Sequence, residues 1–125
     1  MTTAKKKKQL RSKNDKLWYL YLIEQQPLCE VCGNNKAIQI HHYYYKSSYA
    51  HLRYDLDNGI SLCQGCHFLL HFKDPKKITE KIDKARGKKW KELITKKANN
   101  PPINFTTTIK YYEEIKEKLT SELST

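Results

Sequence analysis

Four cysteines and five histidines carry the metal-binding capacity of this 125-residue sequence, and their spacing sorts them into two sets. Cys29 and Cys32 form one Cys-x-x-Cys pair, and Cys63 and Cys66 form a second, with thirty residues between them. Two such chelating turns can bring four sulfurs to one ion at about 2.3 Å, a closed tetrahedral zinc site of the structural kind. A thioredoxin-like redox role fits poorly, because there are two pairs and no βαβ pattern around either. The imidazoles are then left over. His67 and His71 stand four residues apart, on one face of a helix. His41 and His42 form a doublet upstream. Residue 68 is Phe where a zincin helix needs a glutamate base, which argues against a metalloprotease. Spare imidazoles beside a closed knuckle point to a second, open metal site, and an open site suggests chemistry.

The elements that must position these residues follow from local pattern. Residues 1–11 (MTTAKKKKQLR) read as a disordered basic arm. Ser12 and Asp15 fit a capping box that opens a helix through about Gln25, with Leu17, Trp18, Leu20 and Tyr21 on its apolar side and Pro27 ending it. The aromatic content of this helix reads as core. Residues 28–35 form a knuckle whose turn Gly33 and the neighbouring asparagines can accommodate. Ala37 to His42 has strand character, and His41 and His42 would point to opposite faces. A long aromatic connection follows, and Asp57-Asn58-Gly59 is a hairpin-type turn signal before a short strand from Ile60 to Leu62. A helix from about Gly65 carries His67 through Phe72. Asp74-Pro75 caps a lysine-rich helix that Gly87 breaks, and Trp90 to Lys97 makes another, with Trp90, Leu93 and Ile94 facing inward. Residues 98–108 read as a linker stiffened by Pro101-Pro102. Residues 109–123 form an amphipathic helix with Ile109, Tyr112, Ile115, Leu119 and Leu123 on one stripe, packed on the body of the molecule.

The charge is uneven. The formal net charge is +11, from 24 Lys and Arg against 13 Asp and Glu. Residues 1–16 contribute a net +6 and residues 73–97 a net +7, so the excess flanks the Cys/His region. Blocks of this kind bind polyanions, nucleic acid first. No secretory signal pattern is present, and the longest apolar run, Leu17 to Ile23, is too short to span a bilayer. The expected setting is therefore the cytoplasm, where paired cysteines bind metal rather than form disulfides.

The ordered set His41-His42, Asn58, His67 and His71 resembles the HNH, or ββα-metal, endonuclease family. Cys29/Cys32 and Cys63/Cys66 around it are similar to the zinc-containing branch of that family. The layout is also similar to colicin-type DNases, which lack the cysteines. The stretch HHYYYKSSYAHLRYDLDN followed by LCQGC resembles phage recombination endonucleases of the Rap type, with His41 and His67 standing where those have Gly and Asn.

The resemblance covers residues 26–73. It implies a small ββα-metal core stapled by a four-cysteine zinc site; with the flanking helices read from local pattern, the expected fold is α+β, a nuclease domain over residues 12–97 followed by the linker and a C-terminal helix, 109–125. It implies metal-dependent hydrolysis of DNA, duplex or branched, by a monomer or a homodimer without membrane attachment. His42 would be the general base and Asn58 would orient it through its backbone or ring. His41, His67 and His71 would hold a catalytic divalent metal (Mg2+, Mn2+, Ni2+ or Zn2+), beside the structural Zn2+ of the cysteines.

Cleaving a phosphodiester needs an activated water and neutralisation of phosphate and leaving-group charge, tasks that suit a histidine and a divalent cation. Arg53 is a candidate phosphate clamp through its planar fork. Tyr43, with Tyr44, Tyr45 and Tyr49, is a candidate DNA contact or loop-packing residue. Lys5, Lys6, Lys7, Lys8, Lys76 and Lys77 are candidate backbone contacts. The rival reading from another class is a non-catalytic zinc-ribbon DNA-binding protein, which would not require the ordered histidines.

Overall fold

Helix α1 begins at the very start of the chain, where the sequence suggested a loose arm. In the computed structural model, which describes residues 1–125, it runs from Thr3 to Gln25. Thr2 caps it by accepting a hydrogen bond from the Lys5 N–H at 3.2 Å, so the lysines form its first turns. The capping box expected at Ser12 and Asp15 is therefore not a helix start; Asp15 sits mid-helix and has another partner, described below. α1 persists because its far end is paired. Leu17, Trp18 and Leu22 bury against Tyr112 and Leu119 of the last helix, α5 (Ile109–Leu123), and buried Asn14 donates to the Tyr112 carbonyl at 2.9 Å. The amphipathic stripe of the C-terminal segment thus closes on α1 across the molecule.

The centre is a two-stranded antiparallel hairpin, β1 (Gln39–His42) and β2 (Gly59–Leu62), in register so that His41 faces Ile60 and His42 faces Gly59. Pairing starts directly at Gly59, so Asp57-Asn58-Gly59 is not the tip of the hairpin. It closes a long loop through a short 3-10 turn, Leu56–Asn58, which Asp55 caps by accepting from the Asp57 N–H at 2.9 Å. The backbone of Gly59 is ordinary, but a Cβ there would lie 2.3 Å from Leu22 Cδ1, 2.9 Å from Trp18 Cζ2 and 3.0 Å from Ile40 Cγ2. Glycine lets α1 lie directly on the hairpin.

Helix α2 (Gln64–Phe72) follows β2 at once, capped by the Cys63 sulfur. Asp74 and Pro75 start α3 (Pro75–Arg86), and Gly87, at φ 92°, turns the chain into α4 (Lys88–Asn99). On α4 it is Ile94 and Ala98 that bury, against Leu52 of the loop, while Leu93 is exposed and not inward as the pattern suggested. Trp90, Ile94 and Ala98, four residues apart, share the inward face, and the Trp90 indole N–H donates to the Asp57 carbonyl at 2.8 Å. No helix is long and apolar enough to cross a membrane.

Candidate active site and zinc knuckle

The four cysteine sulfurs lie within 4.8 Å of one another, and none is in a disulfide. Cys32 and Cys63 Sγ are 3.8 Å apart. A tetrahedral site with bonds of about 2.3 Å has sulfur–sulfur edges of about 3.8 Å, so the cluster fits one zinc ion held by all four residues. Its electrostatics favour thiolate on one side. Backbone N–H groups of Asn35 and Asn34 lower the Cys32 thiol to about 6. Burial opposes ionisation of Cys63, but the Cys66 N–H and the neighbouring thiols bring it below its usual range. Burial pushes the Cys66 thiol up.

The knuckle is also bolted to the sheet. Glu30 and Ser61 exchange hydrogen bonds, at 2.9 Å from the Glu30 N–H to the Ser61 carbonyl and 2.7 Å from the Ser61 N–H to Glu30 Oε2. Arg86 of α3 then holds Glu30 with two nitrogens (2.5 and 3.0 Å) and donates to the Gly59 carbonyl at 2.7 Å.

Three imidazoles meet at the other end of the hairpin. His41 is buried under α2, its ring edge-on to His71 at 5.7 Å between centroids, and His67 and His71 are 4.5 Å apart. Burial, then the neighbouring imidazole charges, lower His41 to about 3; burial and His71 lower His67. Both are thus held neutral, the form that ligates metal. His71 thus stands between the other two rings, 5.7 Å from His41 and 4.5 Å from His67, and the three are nitrogen donors of the kind that bind divalent cations. These three and His42 line a cleft of about 330 Å³, together with Tyr45, Lys46 and Ser47 of the loop.

His42 occupies the opposite side of β1. It lies flat on Trp18 of α1, with 4.2 Å between centroids and 10° between planes, and its Nε2 is 2.9 Å from the Arg53 carbonyl. A carbonyl only accepts, so Nε2 carries the proton and Nδ1 is left with a free lone pair. Burial lowers the affinity of His42 for a second proton, partly offset by the Arg53 carbonyl.

The remaining candidates are placed differently. The Arg53 fork is not free for phosphate: it is closed bidentately on Asp15 of α1, at 2.9 and 2.6 Å. The Tyr43 hydroxyl donates to Asp83 at 2.6 Å and contacts Lys91, and its ring packs edge-on against Trp90 at 4.9 Å, so it is a packing residue rather than an open nucleic-acid contact. Asn58 is fully buried and bonds neither the ring of His42 nor its backbone through its side chain. Its Oδ1 accepts from the Tyr44 N–H at 2.8 Å, and its Nδ2 donates to the Tyr44 and Leu52 carbonyls at 3.0 and 3.2 Å. It fixes the loop that presents the Arg53 carbonyl, not the base itself. Lys5 to Lys8 lie on the first turns of α1 and Lys76 and Lys77 on the first turn of α3, and none of them lines the cleft. Trp18, Asp15 in its pairing role, Glu30, Arg86 and Lys46 are the residues that motif reading missed. A stack of two side chains distant in sequence leaves no spacing signal.

A hairpin followed at once by a helix, with imidazoles from both meeting over an open cleft, defines a ββα-metal unit. Residues 29–73, which hold the knuckle, the hairpin and α2, match the family model described as HNH endonuclease. The match leaves out α1 and everything beyond α2. No curated protein and no solved structure shows a significant match to the chain.

Proposed function

We propose that this chain is a metal-dependent endonuclease that hydrolyses DNA phosphodiester bonds at the histidine cleft. The observation that carries the reading is the convergence of His41, His42, His67 and His71, which a purely DNA-binding zinc ribbon would not need. His41, His67 and His71 would hold one divalent cation. That cation would supply charge neutralisation on the phosphate and on the departing 3′ oxygen. His42 takes the proton from the attacking water: its Nδ1 lone pair is available, the Arg53 carbonyl holds the tautomer, and Trp18 holds the plane of the ring. Asp15 fixes Arg53 and Asn58 fixes the loop, so both act as positioning residues. Lys46, which lines the cleft, is the side chain available to meet a phosphate oxygen now that Arg53 is engaged elsewhere. The lysines of α1 and of α3 and α4 would bind the DNA backbone beyond the cleft.

The test is relaxation of supercoiled plasmid by the wild type with Mg2+, Mn2+, Ni2+ or Zn2+, against His67→Ala and His71→Ala. Cleavage by the wild type is expected, with loss in both variants and partial recovery at excess metal. Retained DNA binding without cleavage under any of the four metals would return the chain to the zinc-ribbon reading.

A further inference from the structure

Helix α2 has three sides, and only two of them have work assigned. Cys66 and Leu70 are buried, and His67 and His71 serve the cleft. The third side presents Phe68, Leu69 and Phe72, exposed at 48%, 41% and 72%. None of the three belongs to a buried cluster or packs against one. The two phenyl rings lie 5.2 Å apart, and Phe72 is 6.3 Å from the ring of His71, so this face adjoins the cleft's histidines without lining the cleft itself. A further exposed ring, Tyr45 (52%), comes from the loop after β1 and meets His41 edge-on at 5.8 Å. Both elements that supply the cleft's histidines therefore also carry exposed aromatic rings beside it.

We propose that Phe68 and Phe72 are a stacking platform for an unpaired nucleobase, which directs the site to DNA whose strands are opened next to the scissile phosphate. This rests on the nuclease reading and deepens it by naming the substrate class. Charge complementarity favours a polyanion: Lys73, Lys76 and Lys77 follow directly in sequence, and Lys46 lines the cleft. Size favours a base over a protein, because three side chains fall far short of the roughly 20–30 residues that a stable protein interface takes from each partner. Every base has a π-face that an exposed ring can cover, but in intact duplex that face is already stacked. The platform therefore gains contact only with a flipped, bubble, flap or branch nucleotide.

The experiment compares cleavage of one sequence as full duplex and with a short unpaired bubble beside the cut. It uses wild type, the Phe68→Ala/Phe72→Ala double variant, Phe72→Leu and Phe72→Trp. The wild type should bind and cut the bubble roughly ten- to a hundredfold more efficiently, the worth of one or two base–aromatic stacks. The double variant should bring that ratio close to one. Phe72→Trp should keep the preference and Phe72→Leu, equally apolar but without a π-face, should lose most of it. Melting temperatures should not fall, because both rings are exposed. 2-Aminopurine placed in the bubble should be quenched by wild type and not by the double variant.

Wild-type cleavage with no bubble preference, or a preference unchanged in the double variant, overturns the platform and leaves the nuclease reading standing. A concentration-dependent dimer that disappears in the double variant also overturns it, by placing a second copy of the chain on this face. Absence of cleavage of either substrate under any of the four metals overturns both.

Discussion

The knuckle and the cleft are both built from metal-binding side chains on the same hairpin–helix unit, yet they differ in almost every physical respect. The knuckle is closed: four sulfurs within 4.8 Å, three of the four cysteines buried, and a brace of Glu30, Ser61 and Arg86 that ties it to β2. The cleft is open: His41 is deeply buried, but His67 is half-buried, His71 is exposed, and about 330 Å³ of space lies among them. A complete ligand set leaves an ion nothing to do but hold structure. An incomplete one leaves positions for water and phosphate. The difference teaches that a ligand count alone says little, and that what surrounds the ligands decides whether a site stabilises or reacts.

Graded metal removal should break the two apart. A chelator titrated against the protein is expected to abolish cleavage first, with the melting temperature unchanged. At higher chelator strength the fold itself should be lost, because structural zinc contributes roughly 10–16 kcal/mol in small zinc domains. Cys66→Ser should reproduce the second effect, read as lost zinc and a collapsed thermal transition, with cleavage lost as a consequence. Simultaneous loss of activity and fold in the titration would mean that the sites are not independent.

The brace of the knuckle offers the next largest effect. Arg86→Ala leaves Glu30 without its guanidinium in a site where both side chains are mostly buried, so a loss of about 3–5 kcal/mol in denaturant unfolding is expected. A loss under about 1 kcal/mol, the worth of an exposed pair, would show that the knuckle holds without the brace. Gly59→Ala should cost about 1–3 kcal/mol, because its new methyl group must displace Leu22 and Trp18. Since Trp18 also supports His42, that variant should lower the cleavage rate beyond its effect on stability. The smallest effect is expected at the periphery. Neutralising Lys76 and Lys77 should flatten the log–log salt dependence of DNA binding by about 0.9 for each phosphate that is no longer neutralised, with the rate at saturating DNA preserved.

Motif reading reached the knuckle and the histidines because their information is local. Cys-x-x-Cys and His-x-x-x-His spacings state which side chains share a turn, and the hairpin between them has its own propensity signals. What it missed depends on pairs far apart in sequence. Arg53 could serve phosphate or a carboxylate equally well until α1 is laid across the hairpin and Asp15 arrives. The first eleven residues look like a free arm until α5 returns to pair with α1. Asp57-Asn58-Gly59 carries a turn signal, but packing against Trp18 and Leu22 uses the glycine for close approach instead. Trp18 reads as core in both views, and only its flat contact with His42 reveals a second role.

The central claim is that the cleft reacts through His42 while its neighbours hold the metal. The most direct measurement is single-turnover cleavage of supercoiled plasmid by His42→Ala, with Mn2+ and DNA affinities measured on the same preparation. The expected result is a rate lower by roughly 10²–10⁴-fold, the usual worth of a general base, with both affinities retained. An unchanged rate, or loss of metal in place of loss of rate, would contradict it.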